Sequence, residues 1–256
     1  MNSSPDNKKN LLLYLLRIGD SSLILGQRLS EWCGHGPLLE EDIALTNIAL
    51  DLIGQSRLFY SYAGNVEGKG RTEDDLAYLR DEREFYNILL AEQPNGDFAC
   101  TMVRQFLFSQ WQYLFYSELC KSKDTTVAAI AEKSLKEVTY HLRHSKEWIL
   151  RLGDGTEVSH RRTQEAINDL WMFTQDLFDM DIVDQQLISD GIAADLGQIR
   201  SAWEKNIEDV FVKAKLSIPA DVWMAGGSRE AKHTEHLGYI LAEMQFLPRA
   251  YPGTKW

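Results

Sequence analysis

Two Glu-x-x-His pairs are the residues in this sequence whose types and spacing best suit metal chemistry. They are Glu157 with His160, and Glu230 with His233. Di-iron sites inside helical bundles use such pairs from two helices, together with one glutamate from each of two others. The first pair lies in the predicted loop TEVSHRR, and the second follows GGSR at a predicted helix start. With 38 acidic residues and six histidines in the chain, chance pairs are expected, so neither pair alone predicts a metal site.

A further histidine pair, His141 and His144, lies three residues apart in KEVTYHLRHSKEW and shares one side of a predicted helix. Metal ligation is one interpretation. Partly buried histidines bonded to neighbouring side chains are the interpretation we favour. Glu137, four residues before His141, is within reach of a structural salt link with it.

Other function classes are excluded by motif and composition. The sequence contains no phosphate-binding GxxxxGKS loop, no GxGxxG, no GxSxG, no CxxC pair and no HExxH. The net charge of -11 repels nucleic acid. The longest apolar run, Leu11 to Leu16, is ended by Arg17 and Asp20, so neither a membrane helix nor a secretory signal is expected. Three cysteines without paired spacing are typical of a reducing cytoplasm.

The elements that position these residues are predicted to be helices. The apolar periodicity and the breaks at glycine, proline and polar clusters separate them. The predicted helices run from Leu11 to Cys33, from Glu40 to Gly64, from the N-cap Thr72 to Glu92, through Phe106 to Leu119, from Val127 to Leu152, from Arg162 to Phe178, from Leu196 to Lys213 and from Arg229 to Leu247. No segment alternates like a strand. We therefore predict an all-α bundle, with a disordered polar N-terminus over 1–10 and one domain over 11–256.

Four local strings together resemble one family. They are RLSEWCGHGPLLEEDIALTNIALDLIGQSR, EQPNGDFA, KEVTYHLRHSKEWILRLGDGT and HTEHLGYILAEMQFLPRAYPGTKW. In this order they are similar to the non-catalytic C subunits of bacterial phenylacetyl-CoA epoxidase, also called ring 1,2-phenylacetyl-CoA monooxygenase. The resemblance extends from about Leu11 to Trp256.

The resemblance implies a ferritin-like helical bundle with additional helices and a supporting role in aerobic phenylacetate catabolism. It implies association with a catalytic A subunit that holds the di-iron centre and epoxidises the ring of phenylacetyl-CoA. Electrons would come from NADPH through a reductase with FAD and an iron–sulfur centre. This chain would carry no cofactor, would bind and stabilise the A subunit, and would associate with other epoxidase subunits. It would meet phenylacetyl-CoA indirectly, by helping to shape the acyl-CoA cleft.

The resemblance also implies that a metal site has been lost. In a comparison with the catalytic A subunit, the sister of this chain, Leu52 and Gln55 stand where glutamate and histidine would bind iron. Val138 stands where a bridging glutamate belongs. His141 keeps its place, and Glu31 matches a carboxylate of the first helix. Iron pairs need carboxylates to neutralise their charge, so we expect these vestigial positions to hold no functional metal.

Substrate contact is the second implied feature. The resemblance makes two segments candidates for the lip of the acyl-CoA cleft, although RDERE is also typical of a solvated, salt-bridged helix face. The candidate residues are Glu84, Phe85, Tyr86, Asn87, Gln185, Gln186 and Leu187.

Two alternatives remain at this point. One is a di-iron carboxylate oxygenase with an unusual ligand set of Glu31, Glu118, Glu137, His141 and His144. The other is a helical adaptor without an oxygenase partner.

The aromatic content of the sequence predicts a homodimer. The chain contains seven Trp, ten Tyr and ten Phe, and aromatic residues are enriched at interfaces.

Overall fold

The computed structural model describes residues 5–254. Ten α-helices lie in this part of the chain, and no strand does. They are α1 Pro5–Ser30, α2 Leu39–Glu67, α3 Glu73–Tyr78, α4 Leu89–Glu92, α5 Phe98–Leu119, α6 Thr125–Gly153, α7 Glu157–Leu170, α8 Ile182–Ser189, α9 Leu196–Lys213 and α10 Glu235–Ala250. Short 3-10 helices cover Glu82–Glu84, Trp171–Phe173, Gln175–Phe178 and Ser228–Glu230. The all-α prediction is confirmed.

The contacts divide the described residues into two compact units. Unit 1 comprises 5–94, Asp181–Ser189 and 227–254, and unit 2 comprises Asn95–Met180 and Asp190–Gly226. Unit 1 contains α1 to α4, α8 and α10, and unit 2 contains α5, α6, α7 and α9. The sequence-based assignment of a single domain over 11–256 stays a prediction.

Unit 1 is built on the hairpin of α1 and α2, which pack along their length. Gly26 permits the close approach of the two helices, because a Cβ there would lie 3.2 Å from the carbonyl oxygen of Ala49 and 3.3 Å from Cβ of Leu52. Helices α4, α8 and α10 each pack against α1. The N-terminal helix is therefore the common support of unit 1.

Unit 2 is built on the hairpin of α5 and α6, with α7 and α9 packed against both helices. The indole Nε1 of Trp203 on α9 donates a hydrogen bond of 3.0 Å to the carbonyl oxygen of Leu107 on α5. At the end of α6, a Cβ on Gly153 would lie 2.5 Å from the carbonyl oxygen of Ala214. Only a glycine fits this contact between the ends of α6 and α9.

Several helix ends differ from the predicted ones. Helix α1 begins at Pro5, so 5–10 are helical where disorder was predicted, and the rest of the predicted disordered segment, 1–4, lies outside the described residues. The predicted loop TEVSHRR is the start of α7, where Thr156 and Ser159 form a reciprocal capping box. The last helix begins at Glu235 instead of Arg229, and α8 was not predicted.

The helix predicted from Thr72 to Glu92 is wrong beyond its first turns. Thr72 does cap α3, through a capping box. However, α3 ends at Tyr78, the short helix Glu82–Glu84 follows, and α4 begins only at Leu89.

The physical reason for this break is a carboxylate on α1. The backbone amide of Tyr86 donates to Oδ2 of Asp20 over 2.8 Å, and Nη1 of Arg80 donates to the carbonyl oxygen of Glu84 over 2.7 Å. Backbone groups that a continuous helix would pair internally are therefore bound by buried charged side chains. We call residues 80–92 the clamp segment.

Candidate functional site

Asp20 is the centre of a buried polar cluster in unit 1. Its side chain is fully buried. Its carboxylate accepts hydrogen bonds from the Tyr60 hydroxyl, from both terminal nitrogens of Arg80 and from the Tyr86 amide. A buried carboxylate requires such compensation, because an unpaired charge in the interior is costly. Asp20 therefore attaches the clamp segment to α1.

Arg80 completes this cluster. Its Nε donates to the carbonyl oxygen of Leu76 over 2.5 Å, and its guanidinium lies 4.2 Å from the ring centroid of Phe85. Burial alone would lower the pKa of Arg80, but the charge of Asp20 and the hydroxyl of Tyr60 outweigh it and leave this pKa above its ordinary value. Burial and the Asp20 charge raise the pKa of Tyr60 well above its usual range. The cluster thus consists of an arginine cation, a carboxylate and a neutral phenol.

Glu92 is the centre of a second buried cluster, at the end of the clamp segment. Oε1 accepts from the amide and the hydroxyl of Thr234, over 2.6 and 2.8 Å. Oε2 accepts from Nδ2 of Asn87 over 2.8 Å and lies 3.0 Å from Nδ1 of His233. The carbonyl oxygen of Glu92 accepts from Nε of Arg28 over 3.0 Å. These bonds join α4 both to the start of α10 and to α1.

The partners of His233 define its protonation. Its Nε2 lies 2.9 Å from the carbonyl oxygen of Phe85, which can only accept. An ionised carboxylate can only accept hydrogen bonds, so Nδ1 of His233 donates to Glu92 as well. Burial would lower the pKa of His233, but the Glu92 carboxylate and the Phe85 carbonyl raise it above its ordinary value. These contacts therefore favour the imidazolium form of His233 beside the Glu92 carboxylate.

A third cluster fixes α8 to α1. Arg17 binds Asp184 over 3.0 Å and Asp181 over 3.1 Å, and Nε of Arg229 lies 3.3 Å from Asp184. Burial raises the pKa of Asp184 despite the two arginines. For Asp181 burial is outweighed by the hydrogen bonds and charge of Arg17, which lower its pKa to about 2. Arg17 and Asp20 lie three residues apart on α1. Asp20 holds the predicted cleft segment that contains Tyr86, and Arg17 holds α8, which contains the other one.

The predicted substrate residues divide into exposed and buried ones. Glu84, Gln185 and Gln186 are exposed, Tyr86 is half-buried, and the other three are buried. Glu84 also accepts from the Asp81 amide over 2.8 Å. The buried members are Phe85, Asn87 and Leu187. The structure gives Phe85 and Asn87 packing and hydrogen-bonding roles inside unit 1, and substrate contact stays a prediction for all seven.

Comparison with known proteins places this chain in a family. The sequence profile of the family described as Phenylacetic acid catabolic protein matches residues 1–256. The chain is 50% identical over 246 residues to the C subunit of 1,2-phenylacetyl-CoA epoxidase from Escherichia coli (strain K12). That alignment covers 96% of this chain and 99% of the E. coli protein. The chain belongs to the phenylacetic acid catabolic protein family. The resemblance found in the sequence is confirmed at this level.

The positions that the sequence resemblance identified as vestigial metal-site positions lie in both units. Leu52 and Gln55 are buried on α2 of unit 1, and Val138 and His141 are buried on α6 of unit 2. Glu31 is different, because its side chain is 39% exposed and Nη1 of Arg28 donates to it over 2.8 Å. The buried positions in this comparison are thus two apolar side chains, one glutamine amide and one histidine.

The donor sets considered for metal are not assembled. Among residues 5–254, no three His, Cys, Asp or Glu side chains lie close enough together to hold a metal ion. In the alternative ligand set, Glu118 instead pairs with Lys121 over 2.8 Å. Of the two Glu-x-x-His pairs, Glu230 pairs with Lys232, and His160 Nδ1 lies 2.7 Å from the Gly153 carbonyl. Structural contacts therefore account for Glu118, Glu230 and His160.

The residues that organise unit 1 in this family member were not predicted as such from the sequence. Arg17 and Asp20 were used only to end an apolar run. Charges inside an otherwise apolar helix are a signal for buried ion pairs, and this signal could have identified both. Glu92 and His233 offered no comparable signal, because their contact joins residues 141 positions apart.

No helix in the described part of the chain combines the length and the apolar character that crossing a membrane requires.

Proposed function

We propose that this chain is the non-catalytic C subunit of a multicomponent phenylacetyl-CoA 1,2-epoxidase in aerobic phenylacetate catabolism. The observation that carries the proposal is the 50% identity to the E. coli epoxidase chain over nearly the full length of both proteins. The shared length matters, because the family profile matches residues 1–256 and so covers both compact units and all ten helices of the described residues.

The supporting role rests on the interior of the chain. Leu52 and Val138 are fully buried and apolar, and neither side chain offers a lone pair to a metal ion. In this proposal the chain has no catalytic residue and no cofactor. The di-iron centre belongs to the A subunit, and NADPH, FAD and an iron–sulfur centre belong to the reductase.

The partners follow from the same proposal. The chain binds the A subunit and other epoxidase subunits and forms a homodimer. Neither nucleic acid nor a membrane is among its partners. Large apolar side chains that a monomer leaves in water support association, since aromatic residues are enriched at interfaces. Trp223, Tyr239 and Phe246 are 72%, 68% and 64% exposed. Three free cysteines support a cytoplasmic location.

In this proposal the chain contributes to the acyl-CoA cleft by holding the clamp segment and α8 in position. The Asp20 and Glu92 clusters hold the clamp segment, and the Arg17 cluster holds α8. Glu84, Gln185 and Gln186 are then the exposed side chains that contact phenylacetyl-CoA bound by the A subunit. The rigid attachment of both segments to α1 supports this role, because a binding surface on a fixed scaffold loses less entropy when the ligand binds.

The test is expression of this chain with and without the A subunit of the same organism, followed by measurement of mass, iron and epoxidation. We expect a stable complex whose iron and activity depend on the A subunit. About two irons per chain in this protein alone, retained after mild chelation, would refute the supporting role. A profile in which the two chains never co-elute would favour the adaptor without an oxygenase partner.

The contribution to the cleft has its own test. Substituting Gln185 and Gln186 with alanine in the complex should raise KM for phenylacetyl-CoA while the complex stays intact. The matched control is Gln198→Ala on α9, an exposed glutamine that bonds to its neighbour Asp195. An unchanged KM in the Gln185 and Gln186 variants would remove these residues from the cleft and leave the proposed place of the chain in the epoxidase untouched.

A further inference from the structure

Unit 2 contains a concave site between α5, α6 and α9 that none of the clusters described above uses. The cleft has a volume of about 450 Å³, within the range of roughly 300–1,000 Å³ that small-molecule sites occupy. Each helix contributes residues at helical spacing, so one face of each helix points at the cleft. The size and concavity suit a small molecule better than a flat protein interface.

The charge of this cleft is opposite to that of the chain. Arg143 and Lys146 on α6 and Lys213 on α9 line it, and Asp209 is the only acid among its lining residues. Within residues 5–254, Lys146 and Lys213 form no ion pair, and Arg143 only stacks over the Tyr140 ring at 5.6 Å. Three cations against one carboxylate leave a local excess of positive charge in a protein of net charge -11. Such a concentration of one sign attracts anions.

Helix α5 contributes two neutral polar residues to the wall of the cleft. Gln110 lines it and is only 5% exposed, and Tyr113, one turn further along α5, lines it as well. A glutamine amide offers both hydrogen-bond donors and an acceptor, and a tyrosine hydroxyl offers one of each. This wall therefore suits the uncharged polar part of a ligand.

We propose that this cleft binds an organic phosphate of the nucleotide class. The phosphate groups lie among Arg143, Lys146 and Lys213, and the neutral heterocycle or amide part of the ligand bonds to Gln110 and Tyr113. A phosphate monoester carries about -1.5 to -2 charges at pH 7, which matches the excess of positive charge. Asp209 supplies an acceptor for sugar hydroxyls. The inference rests on unit 2 alone and does not depend on the oxygenase assignment.

The test is calorimetric titration of the full chain at low salt with adenosine 3′,5′-bisphosphate, pyrophosphate and adenosine. We expect the bisphosphate to bind most tightly, pyrophosphate more weakly, and adenosine weakest. Lys146→Gln and Lys213→Gln should each weaken bisphosphate binding by about fivefold or more. Lys205→Gln on α9 and Lys133→Gln on α6 are matched controls outside the cleft, and they should bind like the parent. Further titrations with coenzyme A and with ATP show which of these two nucleotide-class phosphates binds more tightly in the cleft.

Two further variants test the neutral part of the site. Gln110→Leu and Tyr113→Phe should weaken bisphosphate binding and leave pyrophosphate binding unchanged. The milder Tyr113→Phe keeps the test available if Gln110→Leu lowers the melting temperature. The proposal is overturned if Lys146→Gln and Lys213→Gln bind the bisphosphate as the parent does. It is also overturned if polyglutamate binds in the cleft and the bisphosphate does not, because the basic residues would then serve an acidic protein partner.

Discussion

The Nδ1 atom of His233 lies 3.0 Å from Oε2 of Glu92, and the two side chains are 1% and 0% exposed. This contact joins the residue before the N-cap of α10 to the last residue of α4. Both partners are charged, and each is satisfied by further hydrogen bonds to the Phe85 carbonyl, Asn87 and Thr234. The His233 contact and the Thr234 hydrogen bonds therefore fix the start of α10 to α4.

The Glu92–His233 ion pair predicts a loss of stability at alkaline pH. The folded-state pKa of His233 is raised above its ordinary value, so the ion pair contributes fully below pH about 6.5, where the unfolded chain also binds the proton. The contribution is lost as the pH rises through the folded-state pKa. We expect His233→Gln to lower the free energy of unfolding at pH 6 by about 1 to 3 kcal/mol and by less at pH 9. Urea unfolding at both pH values measures the difference.

The matched control for this prediction is His236→Gln. His236 lies three residues further on, is partly exposed, and is 3.9 Å from Glu235. Its substitution should leave the pH dependence of the parent unchanged. Equal losses for His233→Gln at pH 6 and pH 9 would show that the imidazolium charge does not stabilise the fold.

A second prediction concerns the Asp20–Arg80 pair. Arg80→Met leaves the fully buried Asp20 carboxylate without its cation, and removing one partner of a buried pair costs about 3 to 5 kcal/mol. The double variant Asp20→Asn, Arg80→Met should lose less than the sum of the two single variants, because no uncompensated charge remains. Arg57→Met is the control, since Arg57 is 72% exposed in its pair with Glu73 and should change the free energy of unfolding by less than about 1 kcal/mol. Additive losses in the double variant would contradict direct coupling.

A third prediction compares two leucines on α2. Leu52 is fully buried and Leu50 is 61% exposed. Leu52→Glu places a carboxylate in the interior and should lower the melting temperature by several degrees, as a loss of a few kcal/mol does in a chain of this length. Val138→Glu, at a fully buried position on α6, should do the same. Leu50→Glu should melt near the parent temperature. If Leu52→Glu melts like Leu50→Glu, the comparison of Leu52 with the sister's ligand is wrong.

A fourth prediction uses two helical glycines. A Cβ on Gly153 would lie 2.5 Å from the carbonyl oxygen of Ala214, whereas a Cβ on Gly54 would meet nothing within 4 Å. Gly54→Ala should therefore raise the free energy of unfolding by about 0.5 to 1 kcal/mol. Gly153→Ala should lower it, because the contact between α6 and α9 must open. Thermal unfolding of the isolated chain measures both, and a stabilising Gly153→Ala would contradict the described contact.

The sequence predicted those elements whose signals are local. Helix α9 has the predicted bounds, Leu196–Lys213, because its apolar spacing and its ends lie within one stretch of chain. Thr72 was correctly predicted as an N-cap for the same reason. The rest of the clamp segment was predicted wrongly, because its helix is broken by Asp20, 66 residues before Tyr86 in sequence. Helix propensity depends on neighbouring residues, so it does not indicate a hydrogen-bond partner 66 residues away in sequence.

In the candidate site, too, the sequence did not predict the contacts between residues that are far apart along the chain. Glu84 to Asn87 were selected by resemblance, and the structure explains Asn87 by its bond to Glu92. The partner His233 was considered only with Glu230, three residues away. In the folded chain His233 binds a carboxylate 141 residues away instead. Spacing along the sequence identifies pairs on one helix and does not identify pairs that tertiary packing creates.

The distribution of unit 1 over three separate stretches of chain has a consequence for synthesis. All of unit 2 precedes Gly227, whereas α10 and His233 belong to the last 30 or so residues. Ribosomes add roughly 5–20 residues per second, so Glu92 waits about 7 to 30 s for the histidine that follows it by 141 positions. During that interval α1, α2 and the Asp20 cluster are available to fold, but the Glu92 carboxylate still lacks His233 and Thr234. A nascent chain arrested before residue 233 should therefore be more sensitive to protease around α4 than the released protein.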